Sequence, residues 1–169
     1  MDAAYKEYKS NTRDEFLSTV KTKYGLIPYF CVLLGNYNYQ VSNGGHFQYF
    51  DNGYASSNSR GFGGKYTNID RHEELILLFK ELDLENILTF GKKAYDVISS
   101  FDIDCVIDED NEDDNYDRDN GYLNKLDDKW YDIDDEFMEQ FNGYLKSLTL
   151  DNHSILELIE IAQTQKFNL

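Results

Sequence analysis

Leu123 to Leu148 reads LNKLDDKWYDIDDEFMEQFNGYLKSL, and the reading of this stretch decides the fold. Leu123, Leu126, Trp130 and Ile133 recur at intervals of three and four, and Phe137, Phe141, Tyr144, Leu145 and Leu148 continue the series. That rhythm lines one side of a helix with apolar groups and leaves the other side polar. Here the polar side is acidic: Asp127, Asp128, Asp132, Asp134, Asp135, Glu136 and Glu139 fall between or beside the apolar positions.

The same period runs outward in both directions. Upstream, Phe16, Leu17, Val20 and Tyr24 share a face after a cap at Asn11 or Thr12. Leu26 to Leu34 is an apolar run with Pro28 near its start and reads as a buried helix. Leu75, Leu78, Phe79 and Leu82 follow a cap at Thr67 or Asn68, and Leu84, Ile87, Leu88, Gly91, Tyr95 and Ile98 extend the pattern. Downstream, Ile155, Leu158, Ile159 and Ala162 form a last stripe after Asp151 or Asn152. Sustained two-residue alternation is hard to find. The expectation is an all-α fold, a single compact domain over 1–169 with seven to eight short helices.

Two stretches interrupt it. Tyr54 to Tyr66 (YASSNSRGFGGKY) is rich in Gly and Ser and reads as an irregular connection. Its glycines have no preceding strand and no following Lys-Ser/Thr pair, so they do not make a phosphate cradle. Residues 102–120 form an acidic loop between later helices, with ten acids against Arg118. Like charges at that density repel at helical spacing and resist helix formation.

The charge is segregated. Seventeen of the 32 acids lie between Asp102 and Glu139, opposed by Arg118, Lys125 and Lys129, and the whole chain carries −16. Such a cluster attracts basic surfaces and repels nucleic acids and anionic membranes. Fourteen Tyr and eleven Phe argue for a packed core rather than a disordered polyanion. No window approaches the roughly 18 apolar residues of a membrane span. Met1-Asp2-Ala3 opens no secretion signal, and two distant cysteines, Cys31 and Cys105, suit a reducing cytoplasm.

Val41 to Gly53 (VSNGGHFQYFDNG) is the most distinctive local sequence. Asn43-Gly44-Gly45 marks a tight turn, since these residues tolerate positive φ. His46 to Phe50 then starts a helix with its aromatics inward. Asn43 and Gln48 are expected to satisfy backbone groups that the turn leaves unpaired.

Asn43, Gly44, Gly45, Gln48, Tyr49, Phe50 and Asn52 resemble the signature of the nineteen-kilodalton DNA mimic protein family, with His46 where that pattern has Phe. Leu123 to Leu145 is similar to a second family stretch, a Leu-x-x-Leu-Asp helix followed by an aromatic pair, here Trp130-Tyr131. Together the matches bracket about two-thirds of the chain, in order. The resemblance implies an all-α fold and, as the best-described activity, imitation of the charge of DNA.

The spacing of charge fits that activity independently. B-DNA carries one negative charge per roughly 1.7 Å of axis, and a helix rises about 1.5 Å per residue. The expected contact set is Asp108, Glu109, Asp110, Glu112, Asp113, Asp114, Asp117 and Asp119 on the loop, with Asp127, Asp128, Asp132, Asp134, Asp135, Glu136 and Glu139 on the helices. Tyr116, Tyr122, Trp130 and Tyr131 are expected to add apolar contact. The expected partner is a basic DNA- or RNA-binding protein: a transcription factor, a nucleoid protein, or a defence nuclease such as a restriction or CRISPR effector. Direct nucleic-acid binding and membrane binding are not expected, and exposed aromatics leave a homodimer open.

The competing reading is a helical adaptor or immunity-type protein that binds through a shaped surface, its acids serving solubility. Enzymatic chemistry finds little support. His46, His72 and His153 are scattered, and the last two, near helix starts, read as surface residues. Asp108-x-Asp110-x-Glu112 lacks the glycine that a calcium loop needs at its sixth position, where Asp113 stands. No metal, cofactor or catalysis is expected.

Overall fold

Helix α2 organises the fold, and its sequence explains both its length and its bend. The computed structural model describes residues 15, 17–56, 69–102, 121–150 and 153–154. Within it a first helix, α1 (17–24), stops at Gly25, and α2 runs Leu26–Asp51. Gly25 has φ 91°, a setting open to a residue without a Cβ, so the chain turns there between two helices. Pro28 occupies the first turn of α2, where a missing N–H costs no helical bond. Behind it Tyr29, Phe30, Cys31, Val32, Leu33 and Leu34 are all buried, as the apolar run requires.

The helix breaks at the expected place, with Gly44 at φ −164°, ψ 22° and Gly45 at φ 73°, ψ −179°. It ends at Asn52, and Gly53 follows with φ 70°. The Gly53 N–H donates to the Phe50 carbonyl (3.2 Å) and the Tyr54 N–H to the Tyr49 carbonyl (3.3 Å). This bond pair closes a helix through a left-handed glycine, so the Asn-Gly of the motif is a helix stop.

Then follow α3 (Asp70–Glu81), α4 (Leu84–Ile87), α5 (Gly91–Ser99), α6 (Gly121–Tyr131) and α7 (Asp134–Ser147). The stripe expected to run unbroken from Leu84 to Ile98 is two helices. Leu88 is extended (φ −103°, ψ 137°), and Gly91 seats α5 so close to the Leu84 carbonyl that a Cβ there would collide with it. The Phe90 N–H at the junction is taken by Gln140 Oε1 at 3.1 Å.

The fold is all-α with seven helices among the described residues, apart from one minimal ladder. Thr149–Leu150 pairs antiparallel with His153–Ser154, so His153 lies in a strand rather than at a helix start. The expected helix positions Ile155, Leu158, Ile159 and Ala162, and the residues Asn11, Thr12, Phe16, Thr67 and Asn68, lie outside the described residues.

An aromatic spine joins the helices into one domain. Tyr37 of α2 meets Trp130 of α6 edge-on at 4.9 Å between centroids, and Trp130 meets Phe137 of α7 at 6.0 Å. Phe137 stacks on Phe79 of α3 at 5.8 Å, and Phe30 of α2 contacts both Phe79 and Phe141. Edge-on and stacked pairs add about 0.5–1.5 kcal/mol each beyond area burial. Trp130, expected at the surface as an interface anchor, is wholly buried. Its place on the apolar stripe of α6 decides this, and its indole N–H still finds Asn38 Oδ1 at 3.0 Å.

Candidate functional site

The break in α2 is clasped by α6. In an unbroken helix the Val41 carbonyl would bond the Gly45 N–H, and the His46 N–H would bond the Ser42 carbonyl. Here the Tyr131 hydroxyl donates to the Val41 carbonyl at 2.8 Å, and the His46 N–H donates to Asp127 Oδ1 at 2.7 Å. The same carboxylate oxygen lies 2.5 Å from His46 Nδ1, and His46 Nε2 is 2.7 Å from the Tyr37 hydroxyl. One neutral tautomer satisfies every group: Nδ1–H donates to Asp127, and Nε2 accepts from Tyr37. Gly45 is required twice, by its positive φ and because a Cβ would overlap the Asp127 carboxylate.

Asp127–His46–Tyr37 has the carboxylate–imidazole–hydroxyl order of a nucleophile relay. Its setting is structural. His46 and Tyr37 are buried, and burial, reinforced by Tyr49 and Asp127, holds the Tyr37 hydroxyl well above its ordinary value. A nucleophile needs access to its substrate, and this buried hydroxyl has none.

Asp127 was expected on the exposed acidic surface, and the structure places it elsewhere. Its side chain is 17% exposed and is committed to His46. The physical reason is the orphaned N–H at the glycine break, which needs an acceptor that the helix cannot supply. Of the other motif residues, Tyr49 and Phe50 enter the core. Asn43 Nδ2 donates to the Tyr39 carbonyl at 2.6 Å, which matches its expected backbone role. Gln48 instead donates to the Gln40 side chain at 2.8 Å, and Asn52 is the exposed C-cap.

Five acids of the expected set stand in solvent. Asp128 and Asp132, on and just after α6, and Asp135, Glu136 and Glu139 on α7, are exposed, while Asp134 is half-buried. Among the described residues none of these six forms an ion pair, although Lys125 and Lys129 share α6. Asp134, Asp135 and Glu136 occupy the first turn of α7, where the helix dipole favours negative charge. Burial raises the Asp134 carboxyl above its usual range, and the charges of Asp135 and Glu136 add to the rise. Tyr131 lies within reach of both helices: burial first, then the charges of Asp127, Asp134 and Asp128, raise its hydroxyl. Its ring is 47% exposed, and Tyr39 on α2 is 65% exposed.

Asp108, Glu109, Asp110, Glu112, Asp113, Asp114, Asp117 and Asp119, with Tyr116, lie outside the described residues. The two ends of that stretch are held together. The Tyr122 hydroxyl accepts from the Asp102 N–H at 3.0 Å and donates to the Ser100 carbonyl. Tyr122 is thus half-buried and engaged rather than a free surface aromatic.

His72, expected at the surface, is wholly buried. It lies on the stripe-facing side of α3, and Nε2–H donates to the Ile98 carbonyl at 2.9 Å. Burial lowers its value to about 3, so it is neutral. Among the described residues no group of three His, Cys, Asp or Glu could hold a metal ion, and no helix is long and apolar enough to cross a membrane. No protein family, curated protein or solved structure matches this chain.

Proposed function

We propose that this chain is an acidic mimic of DNA that occupies the nucleic-acid groove of a basic protein and so displaces its natural ligand. The observation that carries the reading is the set of unpaired carboxylates on rigid supports: Asp128, Asp132, Asp135, Glu136 and Glu139 stand exposed on two successive helices without a cationic partner among the described residues. Fixed anions lose little entropy on meeting a basic groove, and such a groove exchanges condensed ions for them as it does for phosphates. The eight acids between Asp108 and Asp119 add their charge to the array by sequence, in the segment between Asp102 and Gly121. The partner is a basic DNA- or RNA-binding protein of the bacterial or phage-infected cytoplasm, with restriction and CRISPR effectors among the candidates. The protein itself binds no nucleic acid and catalyses nothing.

A second reading draws on Tyr39 and Tyr131, whose exposed rings suit an adaptor that binds through a shaped apolar surface. Capture of partners from bacterial lysate at low and moderate salt, followed by competition with duplex DNA, separates the two. A mimic loses affinity steeply as salt rises, is displaced by DNA, and fails when the five exposed acids are changed to lysine. Equal capture by the lysine variant, or salt-insensitive capture lost in Tyr39→Ala, overturns the mimic reading.

A further inference from the structure

The buried ring of His72 has one nitrogen in use and one idle. Nε2–H caps the Ile98 carbonyl at the C-terminal end of α5, whereas Nδ1 is buried with no hydrogen-bond partner among the described residues. The surroundings are aromatic: Phe50 at 5.1 Å, Tyr49 at 5.7 Å, Phe101 at 5.8 Å and Tyr37 at 6.1 Å between centroids. The titratable groups on the elements around it are Tyr37, Tyr49 and His46 from α2, its helix neighbours Asp70 and Arg71, and Asp102 and Tyr122 at the turn, and among the described residues no carboxylate bonds the ring. The Asp127 carboxylate, which reaches the neighbouring ring His46, is engaged there. A proton arriving on Nδ1 would therefore be a buried cation with no acceptor or counter-charge among the described residues, which a protein interior does not hold.

The same ring holds one turn of backbone. It caps Ile98, and Phe101 leans on it while stacking on Phe50 at 3.6 Å. The Tyr122 clasp on Ser100 and Asp102 closes the turn on its other side. We propose that His72 is a proton-operated catch for the turn Ile98–Asp102, from which the acid-rich stretch departs: a second proton on the ring drives it from its aromatic seat and opens the turn. Mild acidification then changes the support from which the acidic stretch departs. This goes beyond the mimic reading and does not depend on it.

The test is amide hydrogen exchange by mass spectrometry on the full chain at pH 7.0 and 5.0, corrected for intrinsic exchange rates. A ring that titrates at its ordinary value once released increases opening roughly 25-fold over this interval. The expected result is a rise of that order in peptides covering 97–102, with α2 core amides at Phe30–Leu34 far less affected and the rise absent in His72→Gln. Retained Trp130 emission at pH 7 establishes that the variant is folded. Should it not fold, NMR of the His72 ring in the native chain gives the same decision, because the ring must take up its proton together with the opening. No rise at 97–102, an equal rise in the α2 core, persistence in His72→Gln, or protonation of the ring without opening each overturns the proposal.

Discussion

Replacing Asp127 by alanine removes one carboxylate among the 32 acids of the chain and is expected to destabilise the fold more than loss of any exposed acid. Two donors, the His46 N–H and Nδ1–H, lose their common acceptor at 2.7 and 2.5 Å. Each is buried beneath α6, and leaving a buried donor unsatisfied costs about 1–3 kcal/mol. With partial relief from water entering at the rim, the loss is about 3 kcal/mol, a large part of the 5–15 kcal/mol typical of a domain. For a chain of this size that lowers Tm by about 6–12 °C. Asp128→Ala, one residue on and exposed, is expected to shift stability by no more than about 0.5 kcal/mol. Asp127→Asn keeps an acceptor oxygen at reduced strength and falls between them. Urea unfolding followed by Trp130 fluorescence measures all three, since this single tryptophan is wholly buried against Tyr37. If Asp127→Ala and Asp128→Ala unfold at the same midpoint, the clasp contributes nothing and the structural assignment of Asp127 fails.

Gly45→Ala forces a side chain into φ 73° and against the Asp127 carboxylate. A loss of at least about 2 kcal/mol is expected in the same urea assay, combining backbone strain with displacement of the clasp. Gly91→Ala drives a Cβ into the Leu84 backbone, which cannot swing aside as a side chain can. Thermal melting should show a loss comparable to or larger than that of Gly45→Ala, about 2–4 kcal/mol, whereas Gly143→Ala, in open space on α7, should stabilise by about 0.5–1 kcal/mol. Burial holds Tyr37 and Tyr49 above the ordinary value of 10.0. Folded values above unfolded ones mean that this stability is complete below pH 10 and lost as pH rises, by about 1.4 kcal/mol per unit for each tyrosine. Tyrosinate absorbance should therefore show a late, cooperative step that coincides with unfolding rather than a smooth titration.

The helical architecture was readable because its stripes are strong. Leu123, Leu126, Trp130 and then Phe137, Phe141, Leu145 are the buried faces of α6 and α7, and Asn43-Gly44-Gly45 is the break in α2. Local chemistry, which needs no knowledge of partners, settled these. The failures were non-local. Helical spacing sets Asp127, four residues after Leu123, beside the buried stripe and Asp128 on the far side, but the bond of Asp127 to the orphaned N–H of His46, 81 positions away, is not written within α6. His72 was misplaced because a polar residue near a helix start usually faces water, whereas here it caps the end of another helix. Trp130 could have been assigned from its own stripe, and its use as a surface anchor gave composition more weight than period. The split between α4 and α5 had a signal as well, a glycine at the position where two helices touch. Of the acidic surface, the exposed members on α6 and α7 were readable as the positions left over by the apolar stripe.

The α2–α6 clasp also sets an order of events as the chain is made. The glycine break emerges from the ribosome some eighty residues before Asp127 and Tyr131, which complete it. Until α6 is synthesised the nascent chain carries a long helix with an unsatisfied kink and an uncovered row of aromatic side chains. Loop closure over such a separation is slow relative to helix formation. Commitment to the native topology therefore waits for the carboxyl-terminal third, and a fragment ending before it has no means of healing its own backbone.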